Sequence, residues 1–258
     1  SKQFFKVNGV SPLEHLMTSV SINPLINSIT LVINKDDRRE IEGFKKKYHK
    51  LNSIINGGIT RQQSTLIALR SIRKKRVKTK NDKVLIHDAA RPFLENRIIK
   101  SCISQLKKYE GVFPALDMDD TLRNKKNLNP YDRSIIIGSQ TPQAFKFDKI
   151  YMAYQQIKGS YSDDIAIANK FGLRIKKIEG SKLNFKITNP SDIKIYGKLL
   201  EQYYRNRIGN GFDFHKFKKG NSIKIGGLKI KSNFSLEANS DGDPVLHSIT
   251  DAILGALN

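Results

Sequence analysis

The chain has 258 residues, 38% of them hydrophobic and 27% charged, which allows one large domain or two smaller ones with a real core. No apolar run reaches membrane-spanning length, and a single cysteine, Cys102, excludes an internal disulfide framework and fits a reducing, cytoplasmic compartment with no export signal in view. The formal charge of +22 invites a nucleic-acid partner, but the cations are scattered, and the densest run, residues 70–80, carries no aromatic residue on which a base could stack. Solvated cationic faces that draw in anionic small molecules are the better reading.

In chain order, apolar periodicity predicts a helix over residues 12–20 and a strand over 28–34. A basic helix is expected over 38–50, then a turn at Gly57–Gly58 and a helix over 61–70. Residues 83–87 read as a buried strand opening into Asp88–Pro92, followed by an amphipathic helix over 96–109 that buries Cys102, and a strand over 111–116. Further strands are expected at 134–139 and 173–179, with a helix at 149–158 between them. Asn189, Pro190, Ser191 and Asp192 form a helix-start signal for a helix to about residue 205, where the composition changes and a domain boundary is expected. Beyond it, Gly209–Asn210–Gly211 introduces an alternating strand, residues 222–230 read as a hairpin around Gly226–Gly227, and Asp243 with Pro244 begins a helix. Alternating short apolar runs and helical patterns are the mark of a wound α/β sheet.

In such sheets ligands bind outside the carboxyl ends of the strands, so Asp88 and Arg91 in His87–Pro92 are candidate site residues: a carboxylate for magnesium and a guanidinium for phosphate. The run stands in an ordered set. It follows Lys2–Phe5 and Gly57–Gly58 with Arg61 and Ser64; after it come Asp120–Thr121, Gln140–Gln143, Ser162–Asp164 and Asn184–Thr188. This set closely resembles the 2-C-methyl-D-erythritol 4-phosphate cytidylyltransferases over about residues 1–205.

The resemblance implies a doubly wound, Rossmann-like nucleotidyltransferase domain using CTP, methylerythritol phosphate and magnesium. It further implies Lys2 and Lys186 as catalytic lysines, and Gly57, Gly58, Ser64, Asp88 and Ala89 on the nucleotide. Arg91, Arg133 and Thr141 would hold the methylerythritol phosphate. A phosphate oxygen would attack the α-phosphorus of CTP, with catalysis by positioning and charge. Two departures stand out. The family's glycine-rich phosphate loop is expected upstream of Ser1, and Ile59 replaces a common acidic residue, so CTP binding by this chain is expected to be poor.

Asp213 and His215, two apart on the expected strand, share one face, and His247 follows on the last helix; one carboxylate and two imidazoles are a catalytic zinc set. Gly211-x-Asp213-x-His215, Gly226–Gly227 and Ser240–Asp243 with His247 resemble the 2-C-methyl-D-erythritol 2,4-cyclodiphosphate synthases over about residues 206–258. The resemblance implies the start of an α+β domain in which a zinc-type divalent metal polarises a phosphate, Ser240 and Asp241 line the substrate, and CMP leaves. Asp251 is a candidate to orient His247, and Asn239 replaces a usual histidine. A β-rich continuation is expected, without which this half should be inactive. The two families together imply a bifunctional homo-oligomeric enzyme of isoprenoid-precursor synthesis. A sugar-phosphate nucleotidyltransferase of other specificity with a zinc-binding tail, or a basic nucleic-acid binder, are the rivals.

Overall fold

A computed structural model describes residues 2–75, 82–203 and 208–257; the chain divides into two compact units, Ser1–Gly197 and Lys198–Asn258. The expected boundary at residues 205–207 and much of the basic run at 70–80 fall outside the described residues.

The first unit opens with a 3-10 turn, Lys2–Phe4, and helix α1, Pro12–Ile22. Ser11 and Glu14 start α1 reciprocally: the Glu14 amide donates to Ser11 Oγ at 3.2 Å and the Ser11 amide donates to Glu14 Oε2 at 3.0 Å. Strand β1 (Ile29–Ile33) runs parallel to β2 (Leu51–Asn56), pairing Ile33 with Asn56. Between them the expected basic helix is broken into a 3-10 turn, Lys35–Ile41, and a single helical turn, α2 (Phe44–Lys47). Gly43 between them has φ +81°, outside the helical region.

Helix α3 (Arg61–Lys75) leads to β3 (Lys83–Ile86), α4 (Asn96–Gln105) and β4 (Gly111–Asp117). The strand expected at 134–139 is a 3-10 turn, Arg133–Ile135, followed by the short β5 (Ile137–Ser139). After the cis Thr141–Pro142 bond come β6 (Gln143–Lys146), α5 (Phe147–Gln156), α6 (Asp164–Lys170) and β7 (Ile175–Glu179). Helix α7 (Pro190–Tyr203) starts where Asp192 accepts the Thr188 and Asn189 amides at 2.7 and 2.8 Å; the division between the units falls within it.

The main sheet is ordered β3-β6-β4-β5, with β7 parallel to β4 while β5 and β6 run antiparallel to it. Two neighbours on β6 show that it is covered on both faces. Ala144 packs with Leu16 of α1 and Ile98, Ile99 and Cys102 of α4. Phe145, pointing the other way, packs with Leu69 of α3, Ile150 and Ala153 of α5 and Ile167 of α6. The doubly wound α/β class therefore holds, on a mixed sheet. Burial pushes the Cys102 thiol up to about 12, as expected of a packing residue. Among the described residues β1 pairs only with β2, and β3 only with β6. A cavity of about 1260 Å³ runs along the whole of both strands and is lined also by Leu13, Leu69 and Ile99.

The second unit holds two antiparallel pairs. Strands β9 (Ser222–Ile225) and β10 (Leu228–Lys231) form the expected hairpin at Gly226–Gly227, and β8 (Phe217–Lys219) pairs with β11 (Phe234–Leu236). Residues 209–215 are not a strand: they run without ladder partners along α8 (Pro244–Leu257). A Cβ on Gly211 would meet the Ser248 carbonyl oxygen at 1.9 Å, so glycine is what lets the segment lie on the helix backbone. Ile249, Ile253, Leu254 and Leu257 of α8 remain exposed.

Candidate active site and candidate metal centre

Asp88 follows the carboxyl end of β3, in a turn closed by the Arg91 amide donating to the Asp88 carbonyl at 3.0 Å. Three cations converge on its carboxylate. Lys186 Nζ lies 3.1 Å and Arg91 Nε 3.4 Å from Oδ2, and Arg61 Nε lies 3.6 Å from Oδ1. Burial alone would raise the Asp88 pKa, but Lys186, Arg61 and Arg91 outweigh it and hold the carboxyl below its ordinary range. Desolvation lowers the Arg91 pKa against the pull of Asp88.

The loop bearing Lys186 is tied down by backbone and amide contacts. Arg91 Nη1 donates to the Asn184 carbonyl at 2.7 Å, the Ile187 amide to the Ala90 carbonyl at 2.8 Å, and Asn184 Nδ2 to the Thr141 carbonyl at 2.7 Å.

Thr141 and His87 fix the other side of Asp88. His87 Nε2 lies 3.0 Å from the Arg91 carbonyl oxygen, which can only accept, so Nε2 carries the proton and Nδ1 is an acceptor. The Thr141 hydroxyl therefore donates to His87 Nδ1 at 3.0 Å and accepts the Asp88 amide at 3.0 Å. Desolvation holds His87 down at about 4, in keeping with this neutral tautomer. Thr141 was expected on the substrate phosphate; here it is buried, and its hydroxyl organises the Asp88 turn.

The remaining sequence candidates divide. At the end of β2 the Gly57 amide donates to the Ile33 carbonyl at 2.8 Å and the Gly58 amide to Ser64 Oγ at 3.0 Å; Gly57, Gly58, Ser64, Asp88 and Ala89 all line the same cavity. Arg133 is exposed and donates to the Asp119 carbonyl at 2.9 Å, and the charge of Lys2 is felt at Asp192, so the contacts of neither are in the Asp88 cluster. His87 and the bridging contacts of Arg61 had no assigned role. The only hint of them was position, at a strand end and in the first turn of α3. Nor does magnesium on Asp88 fit by itself, because one carboxylate encircled by three cations repels a further divalent charge.

In the second unit, Asp213, His215 and His247 offer ligand atoms within 4.8 Å of one another. Asp213 Oδ2 lies 2.8 Å from His215 Nε2 and 2.9 Å from His247 Nδ1. His215 Nδ1 is 2.8 Å from the Glu237 carbonyl, so it holds a proton, and Nε2 is the cluster-side nitrogen that would bind a metal once Asp213 turned to the same ion. One carboxylate and two imidazoles suit a zinc-type ion. Asp241, rather than the exposed Asp251, sits by the other His247 nitrogen, at 3.2 Å from Nε2; Ser240 Oγ is 3.4 Å from the same atom. Asp243 is fully buried and accepts the Gly226, Gly227 and Leu246 amides at 2.8, 2.5 and 3.2 Å, joining the hairpin to the start of α8.

The profile of the family IspD, 2-C-methyl-D-erythritol 4-phosphate cytidylyltransferase, matches residues 1–202. The chain belongs to this cytidylyltransferase family. The profile of the YgbB family matches residues 206–258. Similar proteins include the bifunctional enzyme IspD/IspF of Bartonella henselae, 37% identical across 97% of this chain and 65% of that one. The corresponding enzyme of Wolbachia pipientis wMel is 36% identical across 99% and 66%. The chain thus spans just under two thirds of the length of these curated relatives. Among solved structures, a 4-diphosphocytidyl-2C-methyl-D-erythritol synthase matches with TM-score 0.69 and 25% identity, covering 77% of this chain and 92% of that one. The bifunctional IspDF of Campylobacter jejuni matches with TM-score 0.63 and 27% identity, covering 99% and 65%. Among the described residues, no helix is long and apolar enough to cross a membrane.

Proposed function

We propose that the cytidylyltransferase unit, within residues 1–205, moves CMP from CTP to 2-C-methyl-D-erythritol 4-phosphate and releases pyrophosphate. The Asp88–Arg91–Lys186 convergence at a strand end, in a chain of this family, carries the reading. The substrate's phosphate oxygen attacks the α-phosphorus in line, and the pyrophosphate oxygen leaves with the electron pair of the broken bond. Lys186 and Arg91 hold the attacking phosphate, Asp88 orients both cations, and Lys2 and Arg133 close in from outside the cluster. Gly57, Gly58, Ser64 and Ala89 take the nucleotide. Magnesium would be held by the triphosphate rather than by Asp88 alone, and would supply charge neutralisation when bound. The edges of β1 and β3 that have no partner among the described residues are where a strand carrying a glycine-rich phosphate loop would pair.

Residues 206–258 we read as the metal-bearing part of a cyclodiphosphate synthase site. Asp213, His215 and His247 would hold a zinc-type ion, which would supply Lewis-acid polarisation of a phosphate; Asp241 steadies His247, and Ser240 faces the substrate. The exposed apolar face of α8 supports further burial against a continuing domain or other copies, hence a homo-oligomer. A cytoplasmic location completes the reading. The test is 31P NMR of CTP with methylerythritol phosphate and with other sugar phosphates, using a version extended at both ends. Pyrophosphate and CDP-methylerythritol are expected. Equal use of other sugar phosphates, or salt-sensitive DNA binding with no turnover, would reject it.

A further inference from the structure

Asp164 is fully buried at the start of α6, and its carboxylate is matched to two groups. Arg61 Nη2 reaches Oδ2 at 2.5 Å, and the buried Tyr154 hydroxyl donates to Oδ1. Gln143 Oε1 accepts the Asp164 amide at 2.9 Å, so the acid is held from β6 as well. A buried ion pair is a weak source of stability, since desolvation offsets much of its Coulomb gain and an apolar pair often does as well. This pair has a second contact that an apolar one could not supply: Arg61 Nε faces Asp88 Oδ1, while Lys186 and Arg91 both approach Oδ2.

We propose that Arg61 is a positioning residue for Asp88, clamped in place by the buried Asp164–Tyr154 pair. The catalytic consequence rests on the cytidylyl-transfer reading; the clamp itself does not. As an anionic phosphate draws Lys186 and Arg91 toward itself, Asp88 loses two of its three cations; Arg91 Nη1 is held only by the Asn184 carbonyl, whereas the far end of Arg61 is held by a fully buried carboxylate. Arg61 keeps the Asp88 carboxylate ionised and aimed. Lysine could not do this, because a single ammonium cannot span Asp88 and Asp164 with two fixed nitrogens.

The test is a 13C NMR titration of the Asp88 carboxyl in the full chain, where the charged and titratable groups facing it are Arg61, Arg91, Lys186 and His87. Arg61→Gln is expected to raise the Asp88 pKa by about 1 pH unit through loss of a cation. Asp164→Asn decides the matter by sign. Deleting a nearby negative charge with Arg61 still in place lowers the Asp88 pKa, whereas releasing Arg61 raises it. A rise supports the clamp. Should Asp164→Asn not fold, Arg61→Lys replaces it: a rise despite retained charge supports the clamp, and an unchanged or lower value in the variant that folds overturns it. These titrations need no CTP turnover, so failure of the proposed reaction and failure of the clamp are separately visible.

Discussion

Lys186 and Asp88 make opposite contributions to one cluster, and their substitutions should differ accordingly. Lys186→Met removes a positive charge from the proposed phosphate site and is expected to lower kcat of the extended enzyme about 100-fold. Asp88→Asn keeps the shape but releases Lys186, Arg91 and Arg61 from a common anchor, so KM for the sugar phosphate should rise along with the fall in kcat. Steady-state kinetics separate the two. His87 gives a pH prediction. Its folded pKa of about 4 lies below the ordinary 6.5, so the unfolded chain binds more protons between those values. Its contribution is complete above about pH 6.5 and is lost as the pH falls toward 4, by at most about 3 kcal/mol. Urea titrations across that window should show the loss, and His87→Gln should flatten it. At this scale the sequence pointed to Asp88, Arg91 and Lys186 because each lies in a dense motif. His87, Thr141 and Arg61 act through geometry between β3, β6 and α3, which no local spacing displays.

Elements were legible where apolar periodicity was strong and unlike their neighbours. Strand β4 lies close to its expected limits and helix α4 starts where expected but ends four residues early, at Gln105; Ile98, Ile99 and Cys102 repeat at helical spacing and Val112 to Ala115 form a buried run. The basic helix failed because its pattern of charges spans Gly43, whose backbone conformation ends one turn and begins another. Strand β2 and helix α6 were not foreseen; Leu51–Asn56 is short and half polar, and Asp164–Lys170 is two turns long. In the second unit, the alternation at 211–215 signalled a strand, but the close approach of Gly211 to α8 replaces a ladder with helix contact. Ser11→Ala should destabilise the first unit by about 1 kcal/mol, because it removes the start of α1. Asp243→Ala should weaken zinc binding at the proposed Asp213–His215–His247 site by roughly 10- to 100-fold in equilibrium dialysis, because it uncouples the hairpin from the turn that aims His247.

For the molecule as a whole, 46 basic against 24 acidic residues leave a field that favours phosphorylated ligands wherever they dock. Raising the salt concentration should therefore reduce kcat/KM for CTP while the thermal midpoint changes little, a contrast that parallel kinetics and calorimetry can check. The strand edges bordering the cavity have a different outcome. Among the described residues, strand β4 has partners along both sides, whereas β1 and β3 each have one. In deuterium oxide, amides of β4 should stay protected for longest, and those of β1 and β3 that face the gap should exchange early despite their apolar side chains. Filling the gap with a strand would slow that exchange, so the time course of isotope uptake reports directly on whether the sheet is continuous.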